Sequence, residues 1–324
     1  MRAAWYTRQG PASEVLHVGD QPEPPPQPGD VIVRVAVSAV NPSDVKAREG
    51  FRPMLFPLVI PHSDAAGEIV AVAADVDPGR IGERVWLREA QWRRPHGAAA
   101  RYTAVPADRA CRLPGNVPFD VGACLGIPAL TAHRCVVADG PVSGAVVVVR
   151  GAAGRVGRYA AQIAMLEGAT VIATARRDAD LSDVAALGVQ HVVDEREDSV
   201  ADHVLEITDG RGAARIVEVD FGTNLEDALR AVANNGVISA YASMGTPRVV
   251  LPFYDLMMRN ITLRTVLVYD MPHDAKLAAI SAVTRWLEDD ALDHRFGPRF
   301  ALDDIVGAHE AIEGGVRGVV TVQS

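Results

Sequence analysis

Three cysteines in 324 residues are too few for a disulfide framework. Cys111, Cys124 and Cys135 form no Cys-x-x-Cys pair, and their odd number suits reduced thiols in a cytoplasmic compartment. Positive charge is also scarce: 32 Lys and Arg face 41 Asp and Glu, a formal net charge of −9. A general affinity for nucleic acid or anionic membranes, which a basic surface would supply, is not expected. No uninterrupted apolar run approaches the ~20 residues needed to cross a bilayer. Residues Met1 to Arg8 lack the continuous apolar stretch of a secretory signal. These absences point to a cytoplasmic protein that meets neither nucleic acid nor membrane.

What is present is the balance of a packed globular protein, 48% apolar and 23% charged, with length for two domains. The first third reads as β-structure. Val31, Val33, Val35 and Val37 recur at period two, and Glu68–Val72, Arg84–Leu87 and Arg101–Val105 are further short strands. From about residue 120 the pattern becomes strand, helix, strand. Ala145–Val149, Thr170–Thr174, His191–Val193, Ile216–Val219 and Gly236–Ala240 alternate with helical segments, which implies a parallel sheet covered on both faces. Thr223-Asn224-Leu225-Glu226 has capping-box spacing and is expected to open one of these helices. Helices near Ala275–Leu287 and Ile305–Ile312 and a last strand follow.

The apolar strand ending at Val149 runs into Gly151-Ala152-Ala153-Gly154-Arg155-Val156-Gly157. In the dinucleotide fingerprint Ala152 takes the first glycine position, Gly154 the second and Gly157 the third. A side chain at Gly154 would hold the backbone away from a pyrophosphate, and one at Gly157 would separate helix from strand. The N-terminus of the following helix offers N–H groups and the positive end of its dipole. A turn that uses glycine for conformational reasons alone is the simpler alternative. After the next strand, Thr174-Ala175 leads to Arg176-Arg177 where an NAD site would present a carboxylate. Guanidinium groups there suit a 2′-phosphate, hence NADPH, although two arginines on a solvated loop would look the same.

Asn41-Pro42-Ser43-Asp44, Arg48-Glu49-Gly50, Asp64-Ala65-Ala66-Gly67-Glu68, Gly82-Glu83-Arg84-Val85-Trp86, Gly97 to Tyr102, Pro128 to Ala132 and the Ala152–Gly157 loop follow one another along the whole chain. In this order they resemble the medium-chain dehydrogenase/reductase superfamily, and within it the zinc-independent quinone oxidoreductases. The resemblance implies an α/β fold: a Rossmann-type doubly wound parallel sheet domain (120–261) and a GroES-like β-rich catalytic domain (1–119, completed by 262–324). It implies NADPH in the cleft, with Asn41 and Thr131 near the nicotinamide and Tyr241-Ala242-Ser243 and Leu267 close by. It also implies a homodimer through edge strands at Ile261–Leu267. Glu195-Arg196 stands where the family often has Tyr-Arg, making Arg196 a further phosphate candidate. Lys46 and Phe51-Arg52 replace tyrosines common after Asn-Pro-x-Asp, and His62-Ser63 intervenes where many members have glycine. The lysine usual near the C-terminal glycine is missing from Gly318-Val319-Val320.

Zinc alcohol dehydrogenases of that superfamily need a cysteine near Ser43, a His-Glu pair and usually four clustered cysteines, and those cysteines are absent. His62 lacks a thiolate neighbour in sequence and reads as a pocket or surface histidine. No Gly-x-Ser-x-Gly elbow appears. Without a Lewis acid, oxidation of a simple alcohol is hard; hydride addition to a quinone or conjugated enone gives a delocalised anion and is easier. Asn41 and Asp44 are the catalytic candidates, though both could simply cap the turn after the valine strand. Lys46, His62 and Tyr241 are candidate proton donors. The expected activity is NADPH-dependent reduction of a small quinone or enone. A non-catalytic NADPH-binding sensor or structural protein and an alcohol dehydrogenase are the alternatives.

Overall fold

The computed structural model describes residues 1–316 and 319–323, so Gly318 of the C-terminal motif lies outside the described residues. The chain forms two compact units, Met1–Ile127 with Ile280–Ser324, and Pro128–Ala279. The first stretch carries β1 (Arg2–Trp5), β2 (His17–Asp20), β3 (Asp30–Val40), β4 (Asp64–Val72), β5 (Arg84–Leu87), β6 (Tyr102–Pro106) and β7 (Ala110–Arg112). The middle stretch carries β8 (Val146–Val149), β9 (Thr170–Ala175), β10 (His191–Asp194), β11 (Ala213–Glu218), β12 (Val232–Ala240) and β13 (Thr262–Thr265). The return segment adds β14 (Phe296–Ala301) and β15 (Val319–Gln323).

In the first unit β3 is the organising strand. Val31, Val33, Val35 and Val37 are all buried while Arg34 is exposed, the alternation that the period of two required. Arg34 stands opposite Glu68 in the β3–β4 register and donates to its carboxylate at 2.9 Å. The sheet runs β14-β15-β3-β4-β5-β7, with β6 also pairing β3. Because β15 pairs antiparallel with Val37–Val40, the return segment completes the sheet that the N-terminal segment begins. Close approaches set two glycines here. A Cβ on Gly67 would stand 2.1 Å from the Arg34 carbonyl oxygen, and one on Gly97 2.3 Å from that of Pro61.

The second unit is a six-stranded parallel sheet in the order β10-β9-β8-β11-β12-β13. Its apolar strands bury Val147–Val149, Val171–Ala173 and Ile216–Val217 almost completely, as a sheet covered on both faces demands. The connection after β8 leads to β9 on one side, and after β10 the chain returns to β11 on the other side of β8. That reversal is the topological switch point, where open α/β sheets leave a crevice at the strands' carboxyl ends.

One expectation needs correction. The helix expected to open with Thr223-Asn224-Leu225-Glu226 begins earlier, spanning Phe221–Ala231 with Asp220 as its N-cap residue. Thr223 therefore lies inside the first turn, where its hydroxyl contacts Thr246 and not the backbone amide of Glu226. The chain divides between its two units after Ile127 and after Ala279. β13 hydrogen-bonds to β12 and so belongs with the parallel sheet.

Candidate cofactor-binding site

Five of the segments proposed for the cofactor within the second unit follow the carboxyl end of a parallel strand. Ala152–Gly157 follows β8; Arg176 and Arg177 follow β9; Arg196 follows β10; Tyr241–Ser243 follows β12; Leu267 follows β13. Thr174 lies within β9 near that end, and Thr131 lies on the helix Gly126–Val137 of the same unit. Parallel pairing brings these strand ends to one edge of one sheet.

The glycine loop is built by close approach. Gly151 takes φ +64°, a left-handed backbone that glycine adopts freely. A Cβ on Gly157 would stand 2.4 Å from the Gly151 carbonyl oxygen and 2.9 Å from Ala152 Cα, so only hydrogen fits between helix and loop. The helix Arg155–Leu166 begins after Gly154, which is extended and supplies no side-chain cap. The positive end of its dipole lies at this loop, where an anion is favoured. Ala152 and Ala153 are buried, and Gly154, Arg155 and Val156 are partly exposed along the loop.

Thr174, expected to meet the cofactor, is fully buried and also holds the loop. Its hydroxyl accepts the Gly151 N–H at 3.1 Å and donates to Glu195 Oε1 at 2.6 Å, while its carbonyl accepts the Ala152 N–H at 2.9 Å. Glu195 also accepts from Arg150 Nη1 at 3.2 Å and from Arg176 Nε at 2.7 Å. Arg150, itself buried, further pairs with Asp227 and lies 3.7 Å from Glu218. Glu218 is pushed upward in pKa by burial, against hydrogen bonds from the Asp220 amide and Asn224.

Charge is dense at the ends of β9 and β10. Arg196 is held by Asp194 and by Asp178, the latter at 2.5 Å, and these partners raise its pKa. The same hydrogen bonds lower Asp194 to about 2. Arg177, exposed before the helix Asp178–Ala185, has no carboxylate partner among the described residues. Ser243 is committed to its own loop, accepting from the Gly222 amide and donating to the Thr246 carbonyl. Ala242 accepts the Phe221 N–H. Tyr241 is half-buried, and burial followed by the neighbouring Cys135 and Glu218 holds its phenol above the ordinary range. Leu267 is 53% exposed.

In the first unit Asn41 precedes the helix Pro42–Glu49, and its backbone N–H donates to Asp44 Oδ2 at 2.8 Å. Asp44 therefore closes the helix N-terminus, the capping role that was its structural alternative. Burial lifts its pKa to about 6. The sequence reading missed Asp64, which is fully buried and accepts from Asn41 Nδ2 and the Ile127 N–H, both at 2.8 Å. Its other oxygen has no hydrogen-bond partner. Burial, reinforced by the charges of Asp44 and Glu89 against those two hydrogen bonds, raises Asp64 well above the carboxylate range. The available signal was a carboxylate opening the apolar run Asp64–Val72.

Two proton-donor candidates also find their surroundings. His62 is fully buried, with Nδ1 2.8 Å from Ser38 Oγ and Nε2 3.2 Å from His309 Nε2. Burial lowers it to about 3, so it stays neutral and enclosed. Lys46 is half-buried with its ammonium 5.9 Å from the Phe51 ring centroid. Cys111, Cys124 and Cys135 are free and buried. Among the described residues no three His, Cys, Asp or Glu converge as metal ligands would.

Two family models match in series: an alcohol dehydrogenase GroES-like domain over residues 27–115 and a zinc-binding dehydrogenase domain over 156–285. The chain belongs to the medium-chain dehydrogenase/reductase superfamily. Its relatives place it on the quinone oxidoreductase branch of these oxidoreductases. It is 28% identical to a Homo sapiens quinone oxidoreductase over 92% of this chain and 90% of that one. A solved NAD-dependent alcohol dehydrogenase is 27% identical, with TM-score 0.88 and full coverage of both chains. A mycobacterial protein solved in complex with NADPH is 24% identical with TM-score 0.88, again over both full chains, a likeness of fold. The zinc named by the second model finds no fitting ligand set: among the described residues no three His, Cys, Asp or Glu come together.

Proposed function

We propose that this member of the superfamily is an NADPH-dependent oxidoreductase that reduces a quinone or conjugated enone without a metal ion. The observation that carries the reading is the loop Gly151–Gly157. It admits no side chain at Gly157, precedes a helix with no side-chain cap, and lies at the same sheet edge as Arg176, Arg177 and Arg196. NADPH, when bound, supplies the hydride. The chain's part is to bind and orient: the loop and helix N-terminus would receive the pyrophosphate, and the arginines the 2′-phosphate. Arg177 is already available, whereas Arg176 and Arg196 would exchange carboxylate partners for the phosphate. Asn41, held by Asp64 through its amide nitrogen, is the better placed catalytic candidate. Asp44 supports it by fixing the turn. A delocalised anion formed from the acceptor can take its proton from water, so no buried acid is required.

We further propose a homodimer through the second unit. β13 is an edge strand of the parallel sheet, and Val250, Phe253, Tyr254 and Met258 expose large apolar surfaces on the segment before it. An unpaired edge beside apolar surface favours pairing with another copy. Among the described residues no helix is long and apolar enough to cross a membrane.

The test is NADPH oxidation with a panel of quinones and enones in the presence and absence of a chelator. Turnover indifferent to the chelator supports the reading. Tight NADPH binding without turnover on any acceptor would favour a sensor, and chelator-sensitive alcohol oxidation would favour an alcohol dehydrogenase.

A further inference from the structure

Glu195 joins the glycine loop to one of the arginines at the same sheet edge. Its backbone N–H donates to the Ala175 carbonyl at 3.1 Å, which carries the end of β10 alongside that of β9. Only 9% of its side chain is exposed, and both carboxylate oxygens are engaged. Oε1 accepts from Thr174 Oγ1 at 2.6 Å and from Arg150 Nη1 at 3.2 Å, and Oε2 accepts from Arg176 Nε at 2.7 Å. Thr174 in turn accepts the Gly151 N–H, so this carboxylate cannot swing away without disturbing the loop.

The three arginines at this edge are therefore not equivalent. Arg177 is exposed and has no carboxylate partner among the described residues. Arg196 is held by Asp194 and Asp178, but it is itself 44% exposed and Asp178 88%, where water weakens an ion pair. Arg176 meets a carboxylate that is buried and fixed, and such a pair is screened less. A guanidinium whose charge is met in this way has little attraction left for a phosphate. Drawing it away leaves Glu195 to Arg150, a buried guanidinium that also pairs with Asp227 and lies 3.7 Å from Glu218. Three carboxyl groups would then share the Arg150 cation, an arrangement that disfavours the charge on each of them.

We infer that Glu195 is a specificity-determining residue: it competes with a 2′-phosphate for Arg176 and so lowers the affinity for NADPH relative to NADH. The inference rests on the proposed binding of NADPH at this edge, and adds the residue that limits the preference. NADH presents an uncharged 2′-hydroxyl that calls for no guanidinium, so it meets no such competition. Arg177 then carries most of the phosphate recognition.

The test is titration of full-length wild type and variants with NADPH and with NADH. Arg177→Gln should cost about tenfold in NADPH affinity, the worth of a hydrogen bond to a charged group. Arg176→Gln should cost no more than about threefold, the scale of a contact already offset by its partner. Glu195→Gln keeps the size and an oxygen for Thr174 but removes the charge. It should raise the ratio of NADPH to NADH affinity about tenfold, and in that background Arg176→Gln should cost about tenfold because the guanidinium has been released. Melting temperatures report the fold of each variant. A ratio that is unchanged or lower in Glu195→Gln overturns the inference, as does a gain that survives the added Arg176→Gln. Should Glu195→Gln fail to fold, the arginine variants decide: an NADPH loss from Arg176→Gln that equals or exceeds that from Arg177→Gln overturns it. A wild type that binds neither nucleotide overturns the cofactor reading itself, whereas binding with these responses reversed overturns the role of Glu195 alone.

Discussion

Thr174 Oγ1 donates to Glu195 Oε1 at 2.6 Å while accepting the Gly151 N–H at 3.1 Å, so one buried hydroxyl ties the glycine loop to the next strand end. The loop's shape therefore depends on a residue that does not itself reach the surface. The pairing of Asp194 with Ala175 in the β9–β10 register is what brings Glu195 beside Thr174.

Replacing Thr174 by Val keeps the volume and removes both hydrogen bonds. A buried amide left unsatisfied costs about 1–3 kcal/mol, so a fall in denaturant midpoint is expected together with weaker NADPH binding. Denaturant unfolding and a nucleotide titration check both. Unchanged affinity would show that the clamp does not shape the loop.

Gly157→Ala places a methyl group 2.4 Å from the Gly151 carbonyl oxygen, and the neighbour is backbone. Overpacking of this kind costs about 1–3 kcal/mol. The loop should shift and NADPH affinity should fall at least tenfold, measurable by fluorescence titration. Wild-type affinity in this variant would contradict the cradle.

Arg177→Gln combined with Arg176→Gln removes the two cations at the end of β9. NADPH affinity is expected to fall by roughly tenfold, the scale of one charge-assisted contact, with NADH affinity unchanged. Equal losses for both nucleotides would place these arginines elsewhere in the site.

The raised pKa of Asp44 makes a pH prediction. In the folded state its carboxyl titrates near 6 against an ordinary value of 3.8, so between these values the native protein binds more protons than the unfolded chain. Its contribution to stability therefore falls as pH rises through that window and stays lost above it. The difference amounts to roughly 3 kcal/mol. Asp44→Asn should lose less stability than wild type between pH 4 and 7, read by denaturant unfolding at each pH. Parallel pH profiles would show that Asp44 is not the group responsible.

The alternation of Val31 to Val37 and the apolar runs of β8 and β9 were legible because each obeys a local period. The glycine loop was legible because close approach excludes a side chain at Gly157, the third position of the fingerprint. Helix entry at Phe221 was missed because Thr223-x-x-Glu226 has the right spacing inside a helix that starts three residues after Glu218, where β11 ends. Thr174 is expected at the cofactor from its strand-end position, but its bonds to Gly151 and Glu195, contributed by neighbouring strand ends, were not legible. Asp64 escaped for the same reason: its bond to Asn41 follows from the pairing of Ala39 with Asp64 across β3 and β4, which no local pattern specifies.

The most direct test of the account is a titration of the purified protein with NADPH and NADH under identical salt. The account predicts binding of both through the Gly151–Gly157 loop, with NADPH tighter by about tenfold or more from its extra phosphate. Absence of measurable binding by either nucleotide would contradict it.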